Sequence, residues 1–317
     1  MKIDNTKILI FSIKLIIAII IGSVVIYNID AIELRYIVKN ADVSYIIFAV
    51  SLLPLNLYFQ FLKWKYLVDK TADERVPTRQ LWVSVFWGIS FGFITPGRIG
   101  ELGKLFAIKN GDKFKLLSIS LIEKIYDTFP VIIFGAVSIP FLPHLFFTNS
   151  SVMRTNLILF ALIISIMTYF TAVHPGLFRM LLNYFKNNIL KNNIKFNRFC
   201  EGLRGFKKHN ARVLLFLSSV LFIIYTAQFV LLILAFGDID IFHAFFGVWS
   251  AILLKTFLPV SLGDIGVREG TAAYIFNLMD FPASASVSAA FLLFVINILL
   301  PASVGVFMIP FTSKHNR

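Results

Sequence analysis

Cysteine is nearly absent from this sequence, since Cys200 is the only one among 317 residues. One thiol excludes an intrachain disulfide and any metal site that needs several cysteines. The five histidines are scattered, and none has the spacing of a metal site or a catalytic base. Phosphate-binding loops, dinucleotide fingerprints and nucleophile motifs are also missing. The sequence therefore indicates no metal, no cofactor and no catalytic residue.

Acidic residues are scarce, with 17 Asp and Glu against 30 Lys and Arg, which gives a formal net charge of +13. In a soluble protein such an excess would suggest nucleic acid as a partner. Here 58% of the residues are hydrophobic, which exceeds what a soluble core needs. In a membrane protein, excess Lys and Arg marks cytoplasmic loops that face anionic lipid. We therefore expect a multi-pass protein of the cell membrane with no nucleic-acid partner.

Six apolar segments have the length of a membrane span: 8–27, 43–62, 116–139, 155–173, 213–236 and 284–309. The first lacks a small-residue cleavage pattern, so we expect a retained span rather than a signal peptide. Two further apolar regions, 81–108 and 244–281, are interrupted by glycines and charges.

The basic residues indicate how the interrupted regions are placed. Residues 63–80 and 98–115 carry five Lys or Arg each. If 81–94 crossed the membrane, these two basic loops would lie on opposite sides, and fourteen residues are short for a span. A re-entrant hairpin that enters from the cytoplasm and returns to it keeps both loops inside.

The remaining loops predict two halves of opposite orientation. Residues 175–212 carry nine Lys or Arg and are predicted inside, whereas 28–42, 141–153 and both ends of the second interrupted region are predicted outside. We predict one all-α membrane domain over 1–317 with cytoplasmic termini. Its halves, approximately 1–145 and 146–317, each have the order span, span, re-entrant hairpin, span, so six full spans and two hairpins make eight membrane segments in an inverted-topology repeat. The alternative is that all eight segments are plain spans, because residues 244–258 are long enough to cross the membrane if the helix is tilted.

The two interruptions share a pattern of a hydroxyl residue followed by spaced glycines. Thr95 with Pro96, and Ser261, resemble helix N-caps. Because glycine costs about 1 kcal/mol of helix propensity, three on one face suggest close approach to a neighbour or ligand. A tight loop at the end of a span is the alternative. The glycines concerned are Gly97, Gly100, Gly103, Gly263, Gly266 and Gly270.

Charged residues inside apolar segments are the strongest functional signal, because each costs about 2.5–3.5 kcal/mol at the bilayer centre. Glu123 and Asp127 share one helix face and need cationic partners or protons. Arg98 and Arg268 are the expected partners if the two hairpin tips meet, while Lys124 is expected to point elsewhere. Three roles stay open for the carboxylates: an ion pair that braces the hairpins, a role in substrate or proton handling, and simple exposure at the membrane interface.

Arg98 and Arg268 are also the main candidates for binding a ligand, since a guanidinium beside a helix N-terminus suits phosphate. Lys255 can join this site. The arginines can instead pair internally, and the acidic candidates for pairing or proton handling are Glu101, Glu123, Asp127, Asp264 and Glu269. Four amide side chains are expected to form hydrogen bonds between helices: Asn56, Gln60, Gln228 and Asn297.

Three motifs together resemble a known family. They are PGRIGE at 96–101, EKxxD at 123–127 and LPxSLGxxGVREG at 258–270. In this order they resemble the flippase-like membrane domain of lysylphosphatidylglycerol synthases, and the resemblance covers nearly the whole chain. Asp264 stands where the family commonly has a second glycine, and Lys124 where it often has arginine.

The resemblance implies a transporter rather than an enzyme, one that moves a lipid with a charged head group between leaflets. The lipid would be a phospholipid or polyprenyl-phosphate-linked. Because the aminoacyl-transferase domain of the two-domain synthases is absent, lipid aminoacylation is not expected. Two alternatives stay open: a membrane enzyme of lipid-linked glycan or phospholipid synthesis with Glu123 or Asp127 as its base, and a non-transporting partner of a separately encoded synthase.

Overall fold

The computed structural model describes residues 39–71, 74–95, 97–109, 111–142, 151–176, 180, 184, 193–258 and 264–313. All regular structure in these residues is helical, which confirms the all-α prediction. The predicted first span at 8–27 lies outside the described residues, as do Pro96, Ser261 and Gly263.

We number the helices in chain order. They are α1 (Val43–Ser51), α2 (Leu53–Thr71), α3 (Thr78–Ile94), α4 (Lys113–Ser138), α5 (Ser151–Val173), α6 (Ile194–Gly202), α7 (Lys208–Phe236), α8 (Ile241–Thr256), α9 (Val267–Asn277), α10 (Ala283–Phe294) and α11 (Leu300–Ser313). A 3-10 segment, Ile99–Ala107, follows α3, a second 3-10 turn, Ile139–Phe141, follows α4, and a π turn, Val295–Leu299, joins α10 to α11.

Four helices within the described ranges are long and apolar enough to cross a membrane: Val43–Thr71, Val152–Val173, Lys208–Phe236 and Ala283–Met308. They coincide with four of the six predicted spans. The predicted span at 116–139 forms α4, which has the length of a span but carries Glu123, Lys124 and Asp127 at its middle. The helix predicted to end at residue 62 continues to Thr71, which changes the placement of Lys63.

The π turn has a local cause in the sequence. Pro301 has no backbone N–H, so the carbonyl of Asn297 cannot receive the usual helical hydrogen bond. Wider π geometry over Val295–Leu299 lets the chain pass this position without ending the helix. The span Ala283–Met308 is therefore continuous across the proline.

The first interrupted region is a helical hairpin. The 3-10 segment runs back along α3, with the Ser84 hydroxyl donating to the Lys104 carbonyl at 2.6 Å. The chain reverses at Gly97 and Arg98, which both have left-handed backbones with φ of 57° and 54°. We call this element hairpin 1, residues 78–107.

Thr95 differs from the expected N-cap. It ends α3 as its C-cap, and the next helical residue is Ile99. Its hydroxyl donates to the Phe91 carbonyl at 3.0 Å and accepts from the Gly100 N–H at 2.6 Å. The hydroxyl therefore joins both limbs of hairpin 1, because the reversal leaves groups of each limb within its reach.

The second interrupted region also folds back, with α8 packed against α9. A Cβ on Gly247 in α8 would lie 2.8 Å from the Phe276 ring of α9. Gly266 precedes α9 with φ of 82°, and its N–H donates to Glu269 Oε2 at 2.7 Å. We call this element hairpin 2, residues 241–277.

The core contains two large apolar clusters. One surrounds Trp64 and joins α2, hairpin 1 and the first half of α4. The other surrounds Phe229 and joins α7, hairpin 2 and α10. Since α7 contributes Leu214 to the first cluster and Phe229 to the second, it links them, and Ser218 lies between.

Candidate functional site

A cavity of about 420 Å³ lies between α2, hairpin 1, α4, α7 and the tip of hairpin 2. Apolar side chains such as Val131 and Phe222 form part of its wall. Nine Lys, Arg, Asp and Glu side chains also line it, which is unusual for a chain this apolar. The cations are Lys63, Arg98, Lys104, Lys124 and Lys255, and the anions are Glu101, Glu123, Asp127 and Asp264.

The deeper charges form a chain of alternating sign, which we call the inner network. Lys63 Nζ lies 2.6 Å from Asp127 Oδ1 and 3.5 Å from Glu123 Oε1. Lys104 pairs with the other oxygen of Glu123, and the Ser218 hydroxyl donates to Asp127 at 2.7 Å. Lys63 and Glu123 are buried, with side chains 2% and 7% exposed. The network ties α2, α4, α7 and hairpin 1 together.

The predicted partners of Glu123 and Asp127 were therefore wrong. Their direct partners are the lysines Lys63 and Lys104, not Arg98 or Arg268. The reason is that α2 continues past residue 62, so Lys63 is part of this helix and contacts the carboxylates of α4.

A second group, the outer network, is more exposed than Lys63, Lys104 and Glu123. Glu101 Oε1 is 2.5 Å from Arg98 Nη2, and Glu101 Oε2 is 2.5 Å from Lys124 Nζ. Their side chains are 23–34% exposed. The internal pairing of Arg98 with Glu101 is thus present. Lys124 points away from Glu123 and Asp127, as predicted, but its long stem reaches across to Glu101 on hairpin 1 and so brings it into the cavity wall.

Hairpin 2 contributes a separate ion pair to the cavity, in which Lys255 Nζ lies 2.8 Å from Asp264 Oδ2. Asp264 has a left-handed backbone with φ of 65° and interacts electrostatically with Arg98. The tips of both hairpins therefore contribute to one cavity. The direct partner of Asp264 is Lys255 rather than Arg98.

Arg268 and Glu269 lie outside the cavity wall. Arg268 is 2% exposed, and its guanidinium carbon is 5.4 Å from the centre of the Phe294 ring. It still interacts electrostatically with Asp264. Of the eight charged residues predicted for the site, six line the cavity, and Arg268 and Glu269 do not.

A comparison with protein families decides the identity of this membrane domain. The family described as Lysylphosphatidylglycerol synthase TM region matches residues 11–305. The chain belongs to this family. The match confirms the resemblance carried by the three motifs, and with the apolar helices it makes this a lipid-related, multi-pass membrane protein. Among curated proteins, no match to the chain was found.

In this member of the lysylphosphatidylglycerol synthase TM family, the charged site residues that sequence reasoning missed are Lys63, Lys104 and Lys124. A signal for Lys63 was present, since Asn56, Gln60 and Lys63 recur at positions i, i+4 and i+7 on one helix face. Lys63 was assigned to a loop because the apolar run ends just before it.

The amides near the cavity of this family member behave as expected in part. Asn56 on α2 donates to Gln228 Oε1 on α7 at 3.1 Å, as predicted. Gln60 donates to Asn56 at 2.7 Å within α2, so this bond does not join two helices. Asn297 differs, because neither polar atom of its side chain has a hydrogen-bond partner among the described residues. Within those same residues, no three His, Cys, Asp or Glu side chains are placed to hold a metal ion.

Proposed function

We propose that this protein moves a lipid with a charged head group between the two leaflets of the cell membrane. The lipid is a phospholipid or a polyprenyl-phosphate-linked lipid. A head group cannot cross hydrocarbon without losing its water, which is costly for every charge it carries. A cavity that supplies fixed opposite charges replaces that water. Membership of a lipid-related membrane family supports the same function.

The observation that carries the proposal is the charge of the cavity wall. Five cationic side chains face four carboxylates, so the wall has one net positive charge when all are ionised. This balance suits an anionic head group. Arg98 lies at the reversal of hairpin 1 with a partly exposed guanidinium, which is the donor that best matches a phosphate. Arg268 acts on the head group only indirectly, through Asp264.

The proposed transport uses the predicted topology of six spans and two re-entrant hairpins. In the described residues each half contains a long helix, then a hairpin, then a further long helix. This order supports halves at approximately 1–145 and 146–317 that form an inverted repeat, with the termini in the cytoplasm. A separately encoded synthase that makes or consumes the lipid on one side is the partner that this function implies.

Transport can be measured in liposomes that contain purified protein and fluorescent phosphatidylglycerol. Dithionite added outside quenches only the outer leaflet, so quenching of the inner pool reports translocation. We expect wild-type protein to expose the inner pool and Arg98→Gln to slow this at least tenfold. Arg75→Gln, which changes an exposed arginine outside the cavity, should match the wild type.

Two results would contradict the proposal. One is wild-type liposomes that behave like protein-free ones across phosphatidylglycerol and polyprenyl-phosphate probes. The other is an Arg98→Gln variant that is folded, as judged by gel filtration, and transports as fast as the wild type.

A further inference from the structure

We propose that Glu101 is an internal ligand that occupies the phosphate site of the cavity. A phosphodiester head group then binds by displacing this carboxylate from Arg98 and Lys124. The inference rests on the proposed function, and it adds a residue that controls binding and release.

The contacts of Glu101 match those that a phosphodiester would make. Each of its two oxygens contacts one cation, at 2.5 Å from Arg98 and at 2.5 Å from Lys124. A phosphodiester also carries one negative charge shared by two terminal oxygens. The same two cations therefore fit either group, and Arg98 can hold an oxygen with its donor fork.

The outer network is the part of the cavity that a ligand can open. The side chains of Arg98, Glu101 and Lys124 are 25%, 23% and 34% exposed. In the inner network Lys63 and Glu123 are only 2% and 7% exposed, and Asp127, although 40% exposed, is bound to the buried Lys63. Partly solvated ion pairs are held weakly, and breaking a buried pair is much more costly. A phosphodiester entering the mouth therefore exchanges with Glu101 and leaves the inner network in place.

The displaced carboxylate has a place to go. Glu101 already interacts electrostatically with Lys104 and Lys63, which lie deeper in the cavity. Beside it, α3 has Gly92, where a Cβ would lie 2.7 Å from Glu101 Cγ. The missing side chain leaves the space that Glu101 fills in this structure, and a displaced carboxylate is attracted from there toward Lys104. From there it can return to Arg98 and Lys124 and expel the phosphodiester, so the same residue promotes release.

Binding of dihexanoyl phosphatidylglycerol to the full-length protein in a neutral detergent tests this role. We expect Glu101→Gln to lower the Kd about tenfold by calorimetry, because the competing charge is gone. Glu201→Gln, which changes an exposed glutamate on α6, should leave the Kd unchanged. Adding Lys124→Gln to Glu101→Gln should cancel most of the gain, which ties the effect to this pair of contacts.

Transport separates this inference from the proposed function. In the liposome assay, Glu101→Gln should bind more tightly and yet translocate more slowly than the wild type, since release is no longer assisted. If no protein translocates lipid but Glu101→Gln still binds more tightly, the internal ligand stands and the transport function fails.

An unchanged or higher Kd for folded Glu101→Gln would overturn the inference, because a purely structural carboxylate does not compete with ligand. If Glu101→Gln does not fold, Glu101→Asp provides the same test. Its carboxylate keeps the charge but is one methylene too short to bridge both cations, so the Kd should still fall, by a smaller factor. An unchanged Kd for Glu101→Asp would also reject the internal ligand.

Discussion

At the scale of single residues, the inner network shows how charged side chains can be accommodated between apolar helices. Asp127 accepts from both Lys63 and Ser218, and Glu123 is held between Lys63 and Lys104. Lys104 also lies over the Trp64 ring, with Nζ 4.1 Å from the centroid, which adds a cation–π contact. Because each charge has at least one opposite partner, none bears the full cost of burial.

Removing one lysine should therefore be costly. Lys63→Met leaves Asp127, whose side chain is 40% exposed, without its cation, and leaves the buried Glu123 with one partner fewer. We therefore expect the free energy of unfolding to fall by about 1–3 kcal/mol. The fall in Tm can be measured in detergent by tryptophan fluorescence. Lys70→Met, at the exposed end of α2, is the matched control and should change Tm little.

A double variant checks the cause. Lys63→Met with Asp127→Leu removes both partners, so it should be more stable than Lys63→Met alone. A Lys63→Met protein that melts together with Lys70→Met would show that the inner network contributes nothing to folding.

The carboxylates of the site could be found from sequence, and their partners could not. Glu123 and Asp127 stand out because they interrupt an apolar run at helical spacing. Lys63 does not stand out, since it follows an apolar run in a basic segment, as an ordinary cytoplasmic lysine would. Which cation pairs with which carboxylate depends on where α2 ends and on how it packs against α4. Neither property can be predicted from the spacing of residues in the sequence.

At the scale of elements, hairpin 1 depends on glycine at a regular interval. Its second limb is a 3-10 helix with three residues per turn, so Gly100 and Gly103 fall on one line facing α3. A Cβ on Gly100 would collide with the Phe91 carbonyl, and one on Gly103 would lie 2.7 Å from the Phe91 ring. The two limbs can therefore pack backbone to backbone.

Gly100→Ala should force these limbs apart. The carbonyl of Phe91 belongs to the α3 backbone and cannot rotate away, so we expect a loss of about 1–3 kcal/mol in unfolding free energy, as for other overpacked sites. The loss can be followed by thermal unfolding in detergent. Gly205→Ala is the control, since nothing lies within 4 Å of its added Cβ.

The same variant should also weaken the hydrogen bond from the Gly100 N–H to the Thr95 hydroxyl. A Gly100→Ala protein with the Tm of Gly205→Ala would mean that the limbs are not in contact at this position.

The helices themselves were largely predictable, and their geometry was less so. Apolar runs located α1 with α2, α5, α7 and α10 with α11, because these long segments need only composition to identify them. The 3-10 form of the second limb of hairpin 1 could not be distinguished from an α-helix by glycines three apart. The role of Thr95 was misread for a related reason, since a hydroxyl before glycine suits either end of a helix.

At the scale of the whole molecule, the cavity lies between the two apolar clusters and receives both hairpin tips. Hairpins that enter from opposite sides would place those tips at mid-membrane, where a head group is hardest to move. One plain span in place of each hairpin would instead separate the two ends of that region across the bilayer. The sidedness of the hairpin ends therefore distinguishes the two arrangements.

Cysteine labelling in intact cells can measure that sidedness, because Cys200 is the only native cysteine and can be replaced by serine. Arg79→Cys and Lys109→Cys mark the exposed ends of hairpin 1, and Asp238→Cys and Asn277→Cys mark those of hairpin 2. We expect a membrane-impermeant maleimide to label positions 238 and 277 from outside, and positions 79 and 109 only after permeabilisation. The basic flanks of hairpin 1 and the acidic flanks of hairpin 2 favour this result. Labelling of 79 and 109 from different sides would mean that the first hairpin spans, and Arg98 and Asp264 could then not approach one cavity from opposite leaflets.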